Sequence, residues 1–136
     1  FKDNRSTKED MKMIDETQKI MGDDRMRITA TTVRVPVYRS HAESVNVEFE
    51  DKVTLEAARA AIAAFPGIIL RDNPAEQEYP MPLFTSNKYD VEIGRLRYDE
   101  SQENTLNFWI CGDQIRKGAA LNALQIAEYM IAHDLV

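Results

Sequence analysis

The feature that most constrains the fold of this 136-residue chain is a set of short segments with the side-chain pattern of β-strands. Residues 42–50 alternate, with Val45, Val47 and Phe49 on one face and Asn46, Glu48 and Glu50 on the other. Two further strands are expected over 89–98 and 105–111, because a polar turn at 99–104 separates them. The remaining strand-type segments are 26–38, which is rich in Thr, Val and Ile, and the short apolar run 67–70.

Three other segments predict helices. The first, 6–21, opens with Ser6 and Glu9 in the spacing of a capping box, and Gly22 ends it. The second, 54–65, has Thr54 as its expected N-cap. The third, 114–133, is apolar on much of its circumference, so we expect it to be well buried. The order of elements favours one α+β domain over 1–136, with a mixed, largely antiparallel sheet and helices packed on one face.

Composition narrows the function classes. The net charge of −6 argues against a nucleic-acid partner, because neutralising phosphates requires a basic surface. The apolar stretches are far shorter than the ~20 residues of a membrane span. The single cysteine, Cys111, excludes an internal disulfide and a multi-cysteine metal site, which favours a reducing, cytoplasmic setting and no metal. The chain begins at Phe1 without a Met, and we expect it to be the C-terminal piece of a longer protein.

Candidate chemistry lies first in the run 34–45. Arg34 carries a side chain that can clamp a carboxylate with two parallel hydrogen bonds. His41, seven residues on, can accept and return a proton near neutral pH. The alternatives are that Arg34 covers a sheet face or pairs with an acid such as Glu48, and that His41 is an ordinary surface or core histidine. A clamp beside a proton shuttle would suit a small anionic substrate.

Glu9 and Lys12 share a face of the first helix and could read the amine and the anionic end of a zwitterionic substrate. The alternative is a capping contact for Glu9 within a solvated stripe of charges. Gln114, just after Gly112-Asp113, could present its amide to a cofactor. Cys111 ends a buried strand and has no evident activating partner, so we expect it to serve packing.

These segments together resemble the C-terminal domain of the aspartate-semialdehyde dehydrogenase family. The resemblance rests on Glu9-Asp10-Met11-Lys12, on Arg34-Val35-Pro36-Val37 with His41 seven after the arginine, and on Asp113-Gln114 followed by Arg116-Lys117-Gly118-Ala119-Ala120. The proline-rich loop 79–83 and the run 94–97 are also similar to the family. The resemblance implies a fold like the C-terminal domain of glyceraldehyde-3-phosphate dehydrogenase-like enzymes.

The family carries out NADPH-dependent reductive dephosphorylation of L-aspartyl 4-phosphate to L-aspartate 4-semialdehyde. The resemblance implies that His41 is the acid/base partner of a nucleophilic cysteine and that Arg34 clamps the substrate α-carboxylate. It also implies that Glu9 meets the α-amino group, that Lys12 meets the phosphate and that Gln114 contacts NADP. A homodimer, or a tetramer built from dimers, is implied as well.

The chain departs from the family pattern in several places. The family's nucleophile lies in a preceding Asn-Cys segment, which is absent here together with the Gly-rich nucleotide-binding half, so this chain alone is expected to be inactive. Ser40 and Ala42 stand where family members often have Gly and Ser. Two rivals stay open: an N-acetylglutamyl-phosphate reductase-like enzyme, whose substrate has no free α-amino group, and a non-catalytic dimerisation module or paralogue.

Overall fold

A computed structural model describes all 136 residues of the chain. The chain divides into two compact units, Phe1–Pro36 and Val37–Val136. The first unit is built around one helix, and the second contains the whole of the sheet.

Helix α1, Lys8–Met21, dominates the first unit. The predicted capping box of Ser6 and Glu9 is wrong by one residue, because Thr7 is the N-cap and Asp10 closes the box. The Thr7 N–H donates to Asp10 Oδ2 at 2.7 Å, and the Asp10 N–H donates to Thr7 Oγ1 at 3.0 Å. The pairs Ser6/Glu9 and Thr7/Asp10 both fit the sequence motif of a capping box. Of the two acids, only Asp10 also accepts hydrogen bonds from Thr32, through its N–H and its hydroxyl. The helix ends as predicted, at Gly22 with a left-handed φ of 69°.

The strand predicted over 26–38 is wrong. No strand forms over these residues, and the side chains of Val33 and Val35 are exposed. Strand propensity expresses how well a side chain fits a pleated, half-buried surface, so it is realised only where a partner strand is present. The segment has the composition of a strand and no strand in this chain pairs with it.

The second unit contains a four-stranded sheet in the order β1-β4-β3-β2, with β1 at His41–Glu48, β2 at Ile68–Leu70, β3 at Val91–Tyr98 and β4 at Thr105–Gly112. Strands β1 and β3 pair antiparallel with β4, and β2 pairs parallel with β3. The α+β class and the mixed, largely antiparallel sheet are therefore confirmed. The buried apolar side chains come from the two central strands and are Ile93, Leu96, Leu106 and Cys111.

Two helices pack against this sheet. Helix α2, Leu55–Ala64, is capped by Thr54 as predicted and contacts β2 and β3. The proline-rich loop 72–88 contains a 3₁₀ turn at Pro74–Glu76 and the one-turn helix α3, Pro82–Thr85, which contacts β4. The loop is thus partly ordered into short helical turns and lies against the strand that leads to Gln114.

The C-terminal helix differs from its prediction. A π-helical turn at Arg116–Ala120 precedes helix α4, Leu121–Ala132. The expectation that this helix is well buried is wrong for this chain, since Leu124 is 57% and Ile131 is 68% exposed. The apolar circumference was read correctly, but α4 packs chiefly on its own preceding turn, so no neighbour covers it. None of the helices is both long enough and apolar enough to cross a membrane.

Candidate functional site

His41 is the first residue of β1, which is an edge strand of the sheet. It is exposed, and its backbone lies opposite Gly112, the last residue of β4. This register places His41 at the same end of the sheet as Asp113 and Gln114, which follow Gly112 directly. Its ring is open to solvent, as a side chain that exchanges protons with a ligand requires.

Ser40, the residue before His41, is buried at this end of the sheet. Its φ of 77° is left-handed, which is uncommon for a residue other than glycine. Its backbone N–H donates to Gln114 Oε1 at 2.8 Å across 74 positions of sequence. A glycine would adopt this conformation without strain, and the contact ties Gln114 to the residue beside His41.

Gln114 has one part of its amide committed and one part free. Its oxygen accepts the Ser40 N–H, while its Nε2 makes no hydrogen bond within the chain. A half-buried carboxamide with a spare donor fits a polar group of a nucleotide cofactor such as NADP. At this end of the sheet the protein therefore orients one side-chain amide whose Nε2 is available as a donor.

Asp113 is a residue of this end that sequence reasoning did not select. Its side chain is fully buried and accepts backbone N–H groups from Asn87, Ile115 and Arg116 at 2.7, 2.9 and 3.2 Å. Burial alone would raise the pKa of this carboxyl, but these N–H donors and the nearby Arg39 cation outweigh it and hold the pKa below its usual value. The available signal was an Asp directly after a strand and before a helical turn, a position where the side chain caps backbone N–H groups.

Glu9 and Lys12 lie side by side on α1, with Glu9 Oε1 3.7 Å from Lys12 Nζ. Both side chains are more than half exposed, and Lys12 also lies 4.0 Å from Glu16. Because Asp10 closes the capping box, Glu9 is not used as a cap. Such an exposed pair contributes little to stability and leaves both charges available to a ligand.

Arg34 lies near the end of the first unit, after its helix. It is exposed and forms no ion pair or hydrogen bond within the chain, so the alternative of a structural pairing with an acid is not realised. The structure thus brings Glu9 and Lys12 together in the first unit. In the second unit it brings Gln114 to the residue preceding His41.

Cys111 is 0% exposed, as its predicted packing role requires. Burial raises the pKa of its thiol to about 11, so the thiolate that a nucleophile needs is scarce at neutral pH. Nor do any three His, Cys, Asp or Glu side chains form a group that could hold a metal ion.

Comparison with known proteins gives a consistent result. The family model described as "Semialdehyde dehydrogenase, dimerisation domain" matches residues 1–117. An aspartate-semialdehyde dehydrogenase from Synechocystis is 50% identical over 128 residues, which cover 94% of this chain and 38% of that protein. The enzyme of the same name from Bacillus subtilis is 42% identical, over 100% of this chain and 40% of that protein.

Solved structures agree with the sequence relatives. The aspartate semialdehyde dehydrogenase II of Vibrio cholerae, solved in complex with ASA, superposes with a TM-score of 0.91 at 40% identity, covering 97% of this chain and 39% of that one. A probable aspartate-semialdehyde dehydrogenase from Pseudomonas aeruginosa has a TM-score of 0.83 at 27% identity, covering 93% and 37%. The chain spans well under half the length of these relatives. It belongs to the semialdehyde dehydrogenase dimerisation-domain family, and its relatives carry the name aspartate-semialdehyde dehydrogenase.

Proposed function

We propose that residues 1–136 form the substrate-binding and dimerisation domain of an NADPH-dependent aspartate-semialdehyde dehydrogenase. The family model matches residues 1–117 and so includes residues of both compact units, which supports treating them as one functional domain. The proposed reaction is the reductive dephosphorylation of L-aspartyl 4-phosphate to L-aspartate 4-semialdehyde, a step of lysine, threonine and methionine biosynthesis. The enzyme is proposed to work in the cytoplasm as a homodimer or a tetramer built from dimers.

The nucleophile of this reaction is proposed to lie in the part of the full-length protein that corresponds to the region of its relatives outside this chain. A thiolate attacks the acyl carbon and phosphate leaves, and the resulting thioester is reduced by the hydride that NADPH supplies. Cys111 is unsuited to this role because it is buried and its thiol pKa is raised. His41, exposed at the start of β1, takes the thiol proton and returns it when the thiol is released.

Substrate recognition is proposed to rest on three exposed charges of the first unit. An aspartyl phosphate carries a carboxylate, an ammonium and a phosphate. Arg34 complements the carboxylate, Glu9 the ammonium and Lys12 the phosphate. The absence of a structural partner for Arg34 and the weak pairing of Glu9 with Lys12 support this assignment, because binding a ligand then breaks no strong internal contact.

The observation that carries the proposal is the hydrogen bond from the Ser40 N–H to Gln114 Oε1 at 2.8 Å. It places the proposed cofactor contact next to the residue that precedes the proposed acid/base group. The hydride is delivered to the thioester carbon and the acid/base group exchanges a proton with the sulfur bonded to that carbon, so a direct link between their segments suits that chemistry.

A substrate comparison in the full-length protein tests the proposal. With NADP and phosphate present, formation of NADPH is measured with L-aspartate 4-semialdehyde and with N-acetyl-L-glutamate 5-semialdehyde. We expect turnover with the first and none with the second, because Glu9 reads a free amine. Preference for the acetylated substrate would favour the neighbouring reductase, and no turnover with either would favour a non-catalytic module.

A matched pair of variants sharpens this test. Glu9→Gln is expected to lower kcat/KM for L-aspartate 4-semialdehyde about tenfold or more, since a charged hydrogen bond is lost. Glu16→Gln, on the same helix and beside the same Lys12, is expected to keep kcat/KM close to that of the wild type. Equal effects of the two substitutions would contradict the role of Glu9.

A further inference from the structure

We propose that Asp113 is a positioning residue that holds His41 and Gln114 in a fixed relation at one end of the sheet. This inference rests on the proposed function, which gives those two residues their roles. Asp113 does not touch the substrate. It acts through the backbone segments that carry the two functional side chains.

The Asp113 carboxylate accepts hydrogen bonds from backbone N–H groups of two separate segments. Oδ2 accepts the Asn87 N–H, which belongs to the loop after α3, at 2.7 Å. Oδ1 accepts the N–H groups of Ile115 and Arg116, which flank the start of the C-terminal helical region. One buried side chain thus fixes the loop and the turn that contains Gln114.

The Asp113 carboxylate is also linked to the segment before His41, through Arg39. Arg39 Nε lies 3.3 Å from Asp113 Oδ2, and Arg39 Nη1 donates a hydrogen bond to Asn87 Oδ1. The Ser86 hydroxyl donates to the Pro82 carbonyl at 2.8 Å and also lies 3.3 Å from the Arg39 carbonyl oxygen. The two residues after α3 therefore hold Arg39 from both its side chain and its backbone.

Ser40 has a left-handed φ of 77°, a conformation that costs energy for a residue with a Cβ. Its hydroxyl lies 2.5 Å from Thr85 Oγ1, and both residues are buried. Its N–H is held by Gln114. A strained residue persists only where its surroundings over-determine it, and here the surroundings are the segments that Asp113 connects.

These contacts converge on the residue before His41 and on the residue after Asp113, and the apolar core of β3 and β4 is not among them. A network that served only stability would not need to join those two neighbours. Since a displacement of about 1 Å in a reacting group can cost about a hundredfold in rate, a rigid link between them has a direct kinetic consequence.

The test uses Asp113→Asn in the full-length protein, with Asp99→Asn as the matched control. Asp99 also follows a strand and accepts a backbone N–H, from Ser101, but at the opposite end of the sheet. We expect Asp113→Asn to lower kcat about tenfold or more and to raise the KM for NADP several-fold, while Asp99→Asn keeps both within about twofold. Values of kcat and KM within twofold of wild type for Asp113→Asn would overturn the proposal.

A second pair keeps the test decisive if Asp113→Asn does not fold. Thr85→Val removes the hydroxyl that meets Ser40 at constant size, and Thr85→Ser retains it. We expect kcat to fall in the valine variant and to recover in the serine variant. Wild-type kcat in both would overturn the proposal.

A readout without turnover separates this inference from the proposed function. In protein labelled at histidine, the ring NMR signals of His41 are expected to move in Asp113→Asn and Thr85→Val, and those of His133 to stay in place. If the wild type lacks the proposed activity, these signals still report on His41. An unchanged His41 signal would overturn the positioning role by itself.

Discussion

The two compact units present their candidate site residues in opposite ways. In Phe1–Pro36, the side chains of Glu9, Lys12 and Arg34 are exposed and make at most weak ion pairs. In Val37–Val136, His41 and Gln114 adjoin Ser40 and Asp113, which are buried and hydrogen-bonded. The first unit offers exposed charges with at most weak partners, and the second offers side chains that adjoin a buried hydrogen-bond network.

This difference follows from the work that each set is proposed to do. A charge that recognises a flexible anion needs to be available, and a long side chain can adjust to its ligand. A proton transfer depends on geometry at the scale of a hydrogen bond, so its residues need fixed backbones. We therefore expect substitutions in the first unit to act mainly on substrate binding and those in the second mainly on turnover.

The largest effect is expected from His41→Asn in the full-length protein. Loss of the proton-transferring ring should lower kcat by about 10²–10⁴-fold, with a much smaller change in KM. Steady-state kinetics measures both values. His133→Asn is the control, because His133 lies at the end of α4 and should leave kcat unchanged. Near-normal turnover of His41→Asn would remove His41 from the chemistry.

Arg34→Leu is expected to have the next largest effect. Without the guanidinium the substrate carboxylate loses its charge-assisted hydrogen bonds, and kcat/KM should fall about tenfold to a hundredfold, chiefly through KM. Arg25→Leu removes another arginine of the same unit, one already paired with Asp23, and should change KM little. An unchanged KM for Arg34→Leu would contradict the expectation that substitutions in the first unit act mainly on substrate binding.

Acid stability gives a smaller effect, at Asp99 in the second unit. Hydrogen bonds from the Ser101 hydroxyl and N–H, and from Asn107 and Asn46, lower the pKa of Asp99 from 3.8 to about 2. Because the folded pKa is lowered, the stabilisation is present above pH 3.8 and is lost as the pH falls towards 2. Melting temperatures of the wild type and Asp99→Asn should therefore converge across that interval. A constant difference down to pH 2 would contradict the contribution of this carboxylate.

The smallest effect is expected at Cys111. The buried thiol, with its pKa raised to about 11, should resist a thiol reagent at pH 8 in the folded domain. Cys111→Ala should keep kcat within about twofold of wild type, because only packing is altered. Labelling followed by mass spectrometry measures the first point. Rapid modification of Cys111 accompanied by loss of activity would contradict its packing role.

The parts of the fold that were predictable from sequence depend on local patterns. The alternation in 42–50 and the N-cap at Thr54 located β1 and α2 within a residue or two. The strand expected over 26–38 failed because strand formation needs a partner, which composition does not reveal. The prediction that α4 is well buried failed for a similar reason. An apolar circumference indicates that a helix needs a covering partner, but it does not identify that partner.

The candidate site divides in the same manner. Arg34 and His41 stood out by chemical type, and their roles, with those of Glu9, Lys12 and Gln114, came from the family resemblance. The hydrogen bond between Ser40 and Gln114 joins residues 74 positions apart, and the network around Asp113 joins three separate segments. Spacing along the chain carries no information about such contacts, so they needed the folded structure.

The most direct test of the whole account is a crystal structure of the full-length protein with L-aspartate 4-semialdehyde bound. The account predicts the substrate carboxylate on the Arg34 guanidinium, the amine beside Glu9, and the His41 ring within hydrogen-bonding distance of the reacting group. A substrate bound away from His41 and Arg34 would contradict it.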